Sequence, residues 1–291
     1  MKLSNPSEIK ALLERHGFEF QKKYGQNFLI NEAIPKRISE SSLPDGIEEC
    51  ACLEIGPGIG VMTAELSKLY SKVCAVEIDT KLLPLLEETL AGCDNVEIVN
   101  SDVLKLNIAE TVKDKLDGLP CVVCANLPYY ITTPVIMHLL ESGYPFENIT
   151  VMVQKEVADR LCAPPGSEQY GAITAAVSYY AKPKKLFTVS SGNFMPRPDV
   201  TSAVARLDLY KKPPVDVDDK DVFFRVIKGA FARRRKTLLN SMPSEFSDIS
   251  KDTLSAVFSE CGLSGNERGE TLGIEKFAEI ANSITKRNSI W

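Results

Sequence analysis

The chain has 291 residues, of which 44% are apolar and 25% charged, and its net charge is -5. This composition is typical of a globular protein with one large or two ordinary domains, and it excludes disordered, collagen-like and coiled-coil chains. No apolar run approaches the roughly 18 residues of a membrane span. The first twenty residues lack the apolar core of a signal peptide, so we expect a cytoplasmic protein without a membrane partner.

Short apolar runs alternate with helical patterns between residues 50 and 155. The strand-like runs are CLEI, KVCAVEI, VEIVN, CVVCAN and TVMVQ. This alternation predicts an α/β fold with a parallel sheet covered by helices on both faces. Two further strand-like runs, KKLFTV and SAVARLDLY, precede a proline-rich linker, and the chain from about Asp221 onward is predicted to be helical. The sequence therefore predicts two domains, residues 1–210 and 211–291.

The eight cysteines are predicted to be free thiols. Four of them, Cys50, Cys52, Cys74 and Cys121, lie in or beside strand-like runs, and so few cysteines in a chain of this length do not form a disulfide framework. Cys121 and Cys124 form a CxxC pair, but there is no second pair and the chain has only two histidines. We therefore predict no metal site.

A glycine-rich turn, EIGPGIG at residues 54–60, follows the first strand-like run. Glycine tolerates positive φ and lets a ligand approach the backbone, so the turn is predicted to bind a cofactor at the carboxyl edge of the sheet. The dinucleotide pattern GxGxxG would require its third glycine at Val61. The spacing therefore favours a nucleoside cofactor without a pyrophosphate over NAD, and a purely structural turn is the alternative.

Acidic residues end the next two strand-like runs. Glu77 lies 21 residues after Gly56 and can reach the hydroxyls of a ribose, and Asp102 can accept a hydrogen bond from an adenine amine. Each acid taken alone could be a solvated charge at a strand end. Together with the glycine turn they predict one adenosine pocket.

The sequence Asn126-Leu127-Pro128-Tyr129-Tyr130 follows the fourth strand-like run. Pro128 favours an extended conformation at Leu127, which can direct the Leu127 carbonyl and the Asn126 side-chain oxygen into the pocket. Two adjacent acceptors beside an aromatic ring are suited to a planar base that carries an NH2 group. The alternative is a strand-to-helix turn with a packed tyrosine.

Five motifs in order resemble the ribosomal RNA adenine dimethyltransferases, above all the bacterial branch that acts on small-subunit (16S) ribosomal RNA. They are GQNFL at 25–29, EIGPGIG at 54–60, ANLPYYITTP at 125–134, NFMPRPDVTSAV at 193–204 and FARRRKTLLNSM at 231–242. The likeness covers residues 22–277. It implies a Rossmann-like methyltransferase domain with a small helical RNA-binding domain, and dimethylation of two adjacent adenosines near the 3' end of 16S rRNA during ribosome biogenesis.

The resemblance also implies S-adenosylmethionine as cofactor and 16S rRNA, in the small subunit or its precursor, as partner of a monomeric enzyme. The cofactor-binding residues it implies are Gln26, Asn27, Leu29, Gly56, Gly58, Glu77, Ile78, Asp102, Val103 and Asn126. The catalytic residues it implies are Asn126, Leu127, Pro128, Tyr129 and Phe194, with the target base between Tyr129 and Phe194. Phe194 precedes a stiff Met-Pro-Arg-Pro loop and is expected to be exposed there, although its residue type alone indicates a packed loop side chain.

Positive charge is concentrated in the C-terminal part of the chain. Residues 1–210 carry 20 basic and 27 acidic groups, whereas residues 211–291 carry 14 and 12, and residues 222–244 contain no acid. On a single helix over residues 222–239, Arg234 would lie on the apolar face as a half-buried structural arginine. Four basic residues would face away from it and are the predicted phosphate contacts: Lys228, Arg233, Arg235 and Lys236. A merely solvated face is the alternative.

Three other functions compete with this interpretation. A sister methyltransferase would modify one adenine of large-subunit rRNA and confer macrolide resistance. A non-catalytic RNA-binding assembly or transcription factor could use the same fold. A nicotinamide dehydrogenase is disfavoured by the glycine spacing and because His138 lies within a predicted helix.

Overall fold

The computed structural model describes residues 3, 5–21, 25–233 and 235–288. They form two compact units, one within residues 1–158 and 184–209 and the other within residues 159–183 and 210–291. The predicted division after residue 210 assigns residues 159–183 to the first domain, whereas the structure groups them with the second unit. The physical reason is aromatic packing, since the Tyr179 ring lies 5.1 Å from that of Phe223 within the second unit.

Strands in the described residues form two sheets. In chain order they are β1 Phe28–Leu29, β2 Ala51–Ile55, β3 Lys72–Glu77, β4 Val96–Asn100, β5 Cys121–Asn126, β6 Asn148–Gln154, β7 Ala181–Val189, β8 Phe194–Met195 and β9 Ser202–Leu209. The larger sheet has the order β4-β3-β2-β5-β6-β9-β7, and β1 pairs with β8 in a separate two-stranded sheet. The strands β2 to β6 are parallel, as predicted, and β9 runs antiparallel to β6.

Helices make up most of the remaining regular structure of the two units. In chain order they are α1 Pro6–Arg15, α2 Ala33–Ser41, α3 Thr63–Leu66, α4 Leu83–Thr89, α5 Ile108–Lys115, α6 Thr132–Glu141, α7 Lys155–Leu161, α8 Ala172–Tyr180, α9 Lys220–Phe231, α10 Leu238–Ser241, α11 Lys251–Glu260 and α12 Ile274–Asn288. Polar side chains cap the N-termini of several of these helices. For example, the Asn5 side chain accepts from Ser7 N at 2.9 Å, and the Asp219 side chain accepts from Val222 N at 3.0 Å. Across the described segments of the chain, no helix is both long and apolar enough to span a bilayer.

The central strands of the first unit are buried along their whole length. β2 is buried at every residue, and β5 at every residue except its last, Asn126. A parallel sheet covered on both faces requires such continuous apolar strands. The predicted free thiols are confirmed at seven of the eight cysteines, including the four in or beside strand-like runs, and six of these seven are buried. The carboxyl ends of β2, β3, β4 and β5 meet at one edge of the sheet.

The second unit is a helical cluster around its own aromatic core. Phe223, Phe246, Phe258 and Phe277 are fully buried in it. The prediction of a helical C-terminal region is confirmed by α9 to α12.

The predicted single helix over residues 222–239 is wrong in its second half. α9 ends at Phe231, and the following turn contains a bond from Lys236 N to Arg233 O at 2.8 Å. The Ser241 hydroxyl donates to Gly229 O at 2.7 Å and accepts from Arg233 N at 3.0 Å. This serine, which comes from the next helix, supplies hydrogen bonds that the end of α9 would otherwise lack.

Candidate active site

A cavity of about 290 Å³ opens in the first unit at the carboxyl ends of the parallel strands. Its lining contains every residue that the sequence assigned to the cofactor or to catalysis: Gln26, Asn27, Leu29, Gly56, Gly58, Glu77, Ile78, Asp102, Val103, Asn126, Leu127, Pro128, Tyr129 and Phe194. These residues come from six separate segments of the chain. The structure brings them together, and their individual roles remain predictions.

The glycine turn after β2 leaves room on its ligand side. Gly56 and Gly58 have φ angles of 71° and 62°, in the left-handed region that favours glycine. A Cβ at Gly56 would meet no atom within 4 Å, so the space above it is open. A Cβ at Gly58 would come within 3.1 Å of the Phe28 ring, which packs against the turn. Any other residue at either position would strain the backbone, and at Gly56 its side chain would also fill the open space above the turn.

Glu77, at the end of β3, is a buried acid with fixed orientation. Its Oε1 accepts from Asp79 N at 2.8 Å, and its Oε2 accepts a longer bond from Gly58 N at 3.4 Å. Burial raises the pKa of Glu77 to about 7, although these backbone donors favour the charged form. The carboxyl is thus held against the glycine turn, where it can accept from ligand hydroxyls.

Glu54 is a functional candidate that the sequence prediction did not single out within the turn motif. It lies in β2, lines the cavity and is fully buried, and both of its carboxylate oxygens lack a hydrogen-bond partner in the described residues. Burial raises the pKa of Glu54 to about 8; the nearby Thr63 hydroxyl opposes this shift and Glu77 adds to it. The sequence feature that could have identified Glu54 is that it is an isolated acid within the apolar run CLEI.

Asp102 and Val103 form the part of the wall that follows β4. Asp102 Oδ1 accepts from Leu104 N at 3.1 Å, which fixes the carboxylate at the start of a short turn. Val103 is buried, whereas Ile78 and Leu104 are 46% and 38% exposed. The arrangement offers one polar acceptor beside apolar side chains, as a flat purine ring requires.

Asn126, the last residue of β5, and Leu127 each have an acceptor oxygen to which no described residue donates. The Asn126 amide nitrogen donates to Asn27 O at 3.3 Å, so the amide oxygen remains available. Leu127 N donates to Met152 O at 3.1 Å, while no described residue donates to the Leu127 carbonyl. Pro128 O accepts from Ile131 N at 3.2 Å and thereby starts the turn into α6. The two predicted acceptors are adjacent in one cavity wall.

Tyr129 and Phe194 both line the cavity, but they differ in exposure. The Tyr129 hydroxyl is 2.9 Å from Ser202 Oγ, which fixes the orientation of a half-buried ring. Phe194 is only 4% exposed, so the expectation of an exposed aromatic there is wrong. It is paired with Leu29 across the β1–β8 sheet and packs with Leu29 and Met152 in a core cluster. Its ring is therefore a fixed wall of the cavity.

Tyr130 and Gly25 are among the lining residues that the sequence prediction did not assign to the site. Tyr130 is 58% exposed and lies at the cavity rim, after the first tyrosine of the NLPYY motif. Gly25 has a φ of 56°, and a Cβ there would be 3.5 Å from both Pro128 and Tyr130. The second tyrosine of the motif was the available signal for an aromatic rim.

The predicted phosphate contacts lie in the second unit and are not equivalent. Lys228, on α9, forms an ion pair with Glu245 at 3.0 Å, because the acid-free stretch of sequence meets an acid in space. Arg233, Arg235 and Lys236 are exposed in the turn after α9. Within residues 5–21, 25–233 and 235–288, none of these three forms an ion pair. The prediction for Arg234 lies outside the described residues.

Comparison with known proteins identifies the family. The family model described as ribosomal RNA adenine dimethylase matches residues 17–286. The protein named ribosomal RNA small subunit methyltransferase A of Lachnoclostridium phytofermentans is 47% identical over 287 residues, which are 98% of each chain. The protein of the same name from Streptococcus pneumoniae is 44% identical over 287 residues, again 98% of each chain.

Two solved structures have the same fold. A dimethyladenosine transferase from Plasmodium falciparum has a TM-score of 0.74 and 23% identity, over 89% of this chain and 98% of that chain. The 23S rRNA methyltransferase ErmE has a TM-score of 0.67 and 23% identity, over 89% of this chain and 100% of that chain. The predicted Rossmann-like methyltransferase fold is thereby confirmed. The chain belongs to the ribosomal RNA adenine dimethylase family.

Proposed function

We propose that the protein binds S-adenosylmethionine and dimethylates the exocyclic amines of two adjacent adenosines near the 3' end of 16S rRNA, in the small subunit or its precursor. The main support for this proposal is that the candidate adenosine pocket and the Asn126–Leu127 acceptors share one cavity. The small-subunit target is supported by the name of the relatives that are 43–47% identical over nearly the whole chain, ribosomal RNA small subunit methyltransferase A.

The residues of the cavity fit S-adenosylmethionine. The open space at Gly56 allows a ligand to lie on the backbone. Glu77 is suited to ribose hydroxyls, and Asp102 with Val103 is suited to the amine and ring of adenine. No described residue donates to the two Glu54 oxygens. They favour a positively charged group nearby, since a buried carboxylate needs a cation or hydrogen-bond donors. When bound, this cofactor supplies a methyl group activated on a sulfonium.

Asn126 and Leu127 would activate the acceptor nitrogen. An adenine amine is a poor nucleophile because its lone pair is delocalised into the ring. Hydrogen bonds from its two protons to the Asn126 Oδ1 and the Leu127 carbonyl favour a pyramidal nitrogen and stabilise the positive charge that grows on it. The charge is lost when a proton leaves this nitrogen for solvent. The second proton remains after one methylation, so the same residues can support a second transfer.

Tyr129 and Phe194 would hold the base out of its stack. Aromatic stacking contributes about 1–3 kcal/mol per base, which offsets part of the cost of unstacking. Phe194 is already fixed by its packing and Tyr129 by the Ser202 hydroxyl, so little side-chain ordering is required. Arg233, Arg235 and Lys236 of the second unit would contact phosphates, which position the RNA without reading its sequence.

Methylation of unmethylated small subunits with labelled S-adenosylmethionine tests this function. Identification of dimethyladenosine and primer-extension mapping should place the label at two adjacent adenosines near the 3' end of 16S rRNA. The Asn126→Ala variant is the matched control and should lose turnover while it still binds cofactor. Label in 23S rRNA instead would support the large-subunit alternative. RNA binding without any binding of S-adenosylmethionine would support a non-catalytic assembly factor.

A further inference from the structure

Asp79 does not line the cavity, yet it holds residues that do. It follows β3, two positions after Glu77, and is 3% exposed. Its Oδ2 accepts from Gln26 Nε2 at 2.8 Å, and its Oδ1 accepts from Lys81 N at 3.1 Å. Gln21 Nε2 approaches the two oxygens at 3.4 and 3.3 Å. The structure shows no ion pair of Asp79 with another described residue, so the partners of this buried carboxylate are amide donors.

The backbone of Asp79 orients Glu77. Asp79 N donates to Glu77 Oε1 at 2.8 Å, and the other oxygen of Glu77 faces Gly58 N at 3.4 Å. The turn after β3 thus fixes the acid that is proposed to bind the ribose. The same residue fixes Gln26 through its side chain, so one position connects two walls of the pocket.

Gln26 extends this connection towards the site of methyl transfer. Its Oε1 accepts from Gln21 N at 3.1 Å, while its amide nitrogen is held by Asp79. The next residue, Asn27, offers its carbonyl to the Asn126 amide nitrogen at 3.3 Å. Two hydrogen bonds, linked through the Gln26 side chain and the Gln26–Asn27 backbone, therefore connect Asp79 to the Asn126 amide. The orientation of that amide decides whether its oxygen or its nitrogen faces the target base.

We propose that Asp79 is a positioning residue for methyl transfer. It holds the Gln26–Asn27 segment in register with Glu77 and thereby sets both the cofactor pocket and the orientation of the Asn126 amide. This inference rests on the proposed function, because this connection ends at the acceptor assigned there.

The polarity of this bond can be exchanged by mutation. In Asp79→Asn, the remaining oxygen is retained by Lys81 N, so the new amide faces the Gln26 amide and two donors oppose each other. In Gln26→Glu, two carboxylates meet at hydrogen-bond distance. The double variant Asp79→Asn, Gln26→Glu restores an amide-to-carboxylate bond with its direction reversed. The matched control is Asp94→Asn, which changes an exposed aspartate of the same unit.

Each single variant of the full chain is expected to bind S-adenosylmethionine about tenfold more weakly or worse, because a charge-assisted hydrogen bond is replaced by a repulsive contact. Single-turnover methylation of small subunits should fall further than affinity, since the Asn126 amide is also displaced. The double variant should recover most of both values, and Asp94→Asn should match the wild type. Isothermal calorimetry measures binding, and thermal unfolding reports whether each variant is folded.

Three results would overturn the inference. They are single variants with wild-type affinity and turnover, a double variant no better than the worse single variant, and a loss equal to that of Asp94→Asn. If Asp79→Asn does not fold, Gln26→Ala removes the bond from the other side and should show the same loss of affinity; wild-type binding by Gln26→Ala would also refute the role of Asp79. Failure of the wild-type protein to bind S-adenosylmethionine would instead refute the proposed function.

Discussion

Replacing Glu54 with glutamine should stabilise the unliganded protein at pH 8 and change little at pH 5. Burial raises the pKa of Glu54 from 4.5 to about 8. Between these values the folded protein keeps a proton that the unfolded chain has released, so stability falls by about 1.4 kcal/mol for each pH unit. Over the full interval between the two pKa values, the loss in the free energy of unfolding is at most about 5 kcal/mol. Solvent does not screen this effect because the side chain is fully buried. Glutamine is neutral throughout and removes this loss.

Urea unfolding of both proteins between pH 5 and pH 8.5, without nucleoside, measures the effect. The difference in the free energy of unfolding should grow with pH in favour of Glu54→Gln. Removal of the Glu54 charge also relieves Glu77, whose pKa burial raises to about 7, so both contributions have the same sign. The matched control is Glu110→Gln, which removes an exposed carboxyl and should follow the wild type.

A stability difference that is equal at pH 5 and pH 8 would refute this reasoning, as would a wild-type protein that is the more stable at pH 8. The ligand offers an independent check. A positively charged nucleoside should stabilise the wild type more than Glu54→Gln at pH 8, because only the wild type has a buried carboxylate that the positive charge relieves.

Three further changes test the remaining parts of the site. Asn126→Ala should lower turnover about a hundredfold, as expected for the loss of one transition-state hydrogen-bond partner, while calorimetry shows a smaller loss of cofactor affinity. Phe194→Leu should lower kcat/KM for RNA about tenfold or more through lost stacking, with unchanged binding of S-adenosylmethionine as the control measurement. Replacement of Arg233, Arg235 and Lys236 by glutamine should make the plot of log affinity for RNA against log salt concentration less steep by about two, since each phosphate contact on single-stranded RNA contributes about 0.7 to this slope. An unchanged slope would contradict the assignment.

The position of the site could be predicted because its main elements follow from local sequence. Glu77, Asp102 and Asn126 each lie at or just after the end of an apolar run, and the carboxyl ends of parallel strands share one edge of the sheet. The glycine turn and the proline after Leu127 restrict the backbone wherever they occur. These signals act over a few residues and require no knowledge of distant contacts.

Features that depend on distant contacts could not be predicted. The strands β1 and β8 are two residues each, too short for a periodic signal, and they pair across a separation of 165 residues at Leu29 and Phe194. The burial of Phe194 follows from that pairing. The end of α9 depends likewise on Ser241, and the ion pair of Lys228 depends on Glu245. Pattern alone placed these basic residues on one continuous helix.

The pairing of Leu29 with Phe194 also determines when the cavity can exist during synthesis. A nascent chain that has left the ribosomal exit tunnel only as far as residue 190 already contains the glycine turn and NLPYY, but it lacks the strand that supports Leu29 and the ring that closes the wall. This wall of the cavity is therefore completed late in translation, after most of the sheet has been made. The earlier strands are buried along their length and can associate through their own apolar side chains before this wall exists.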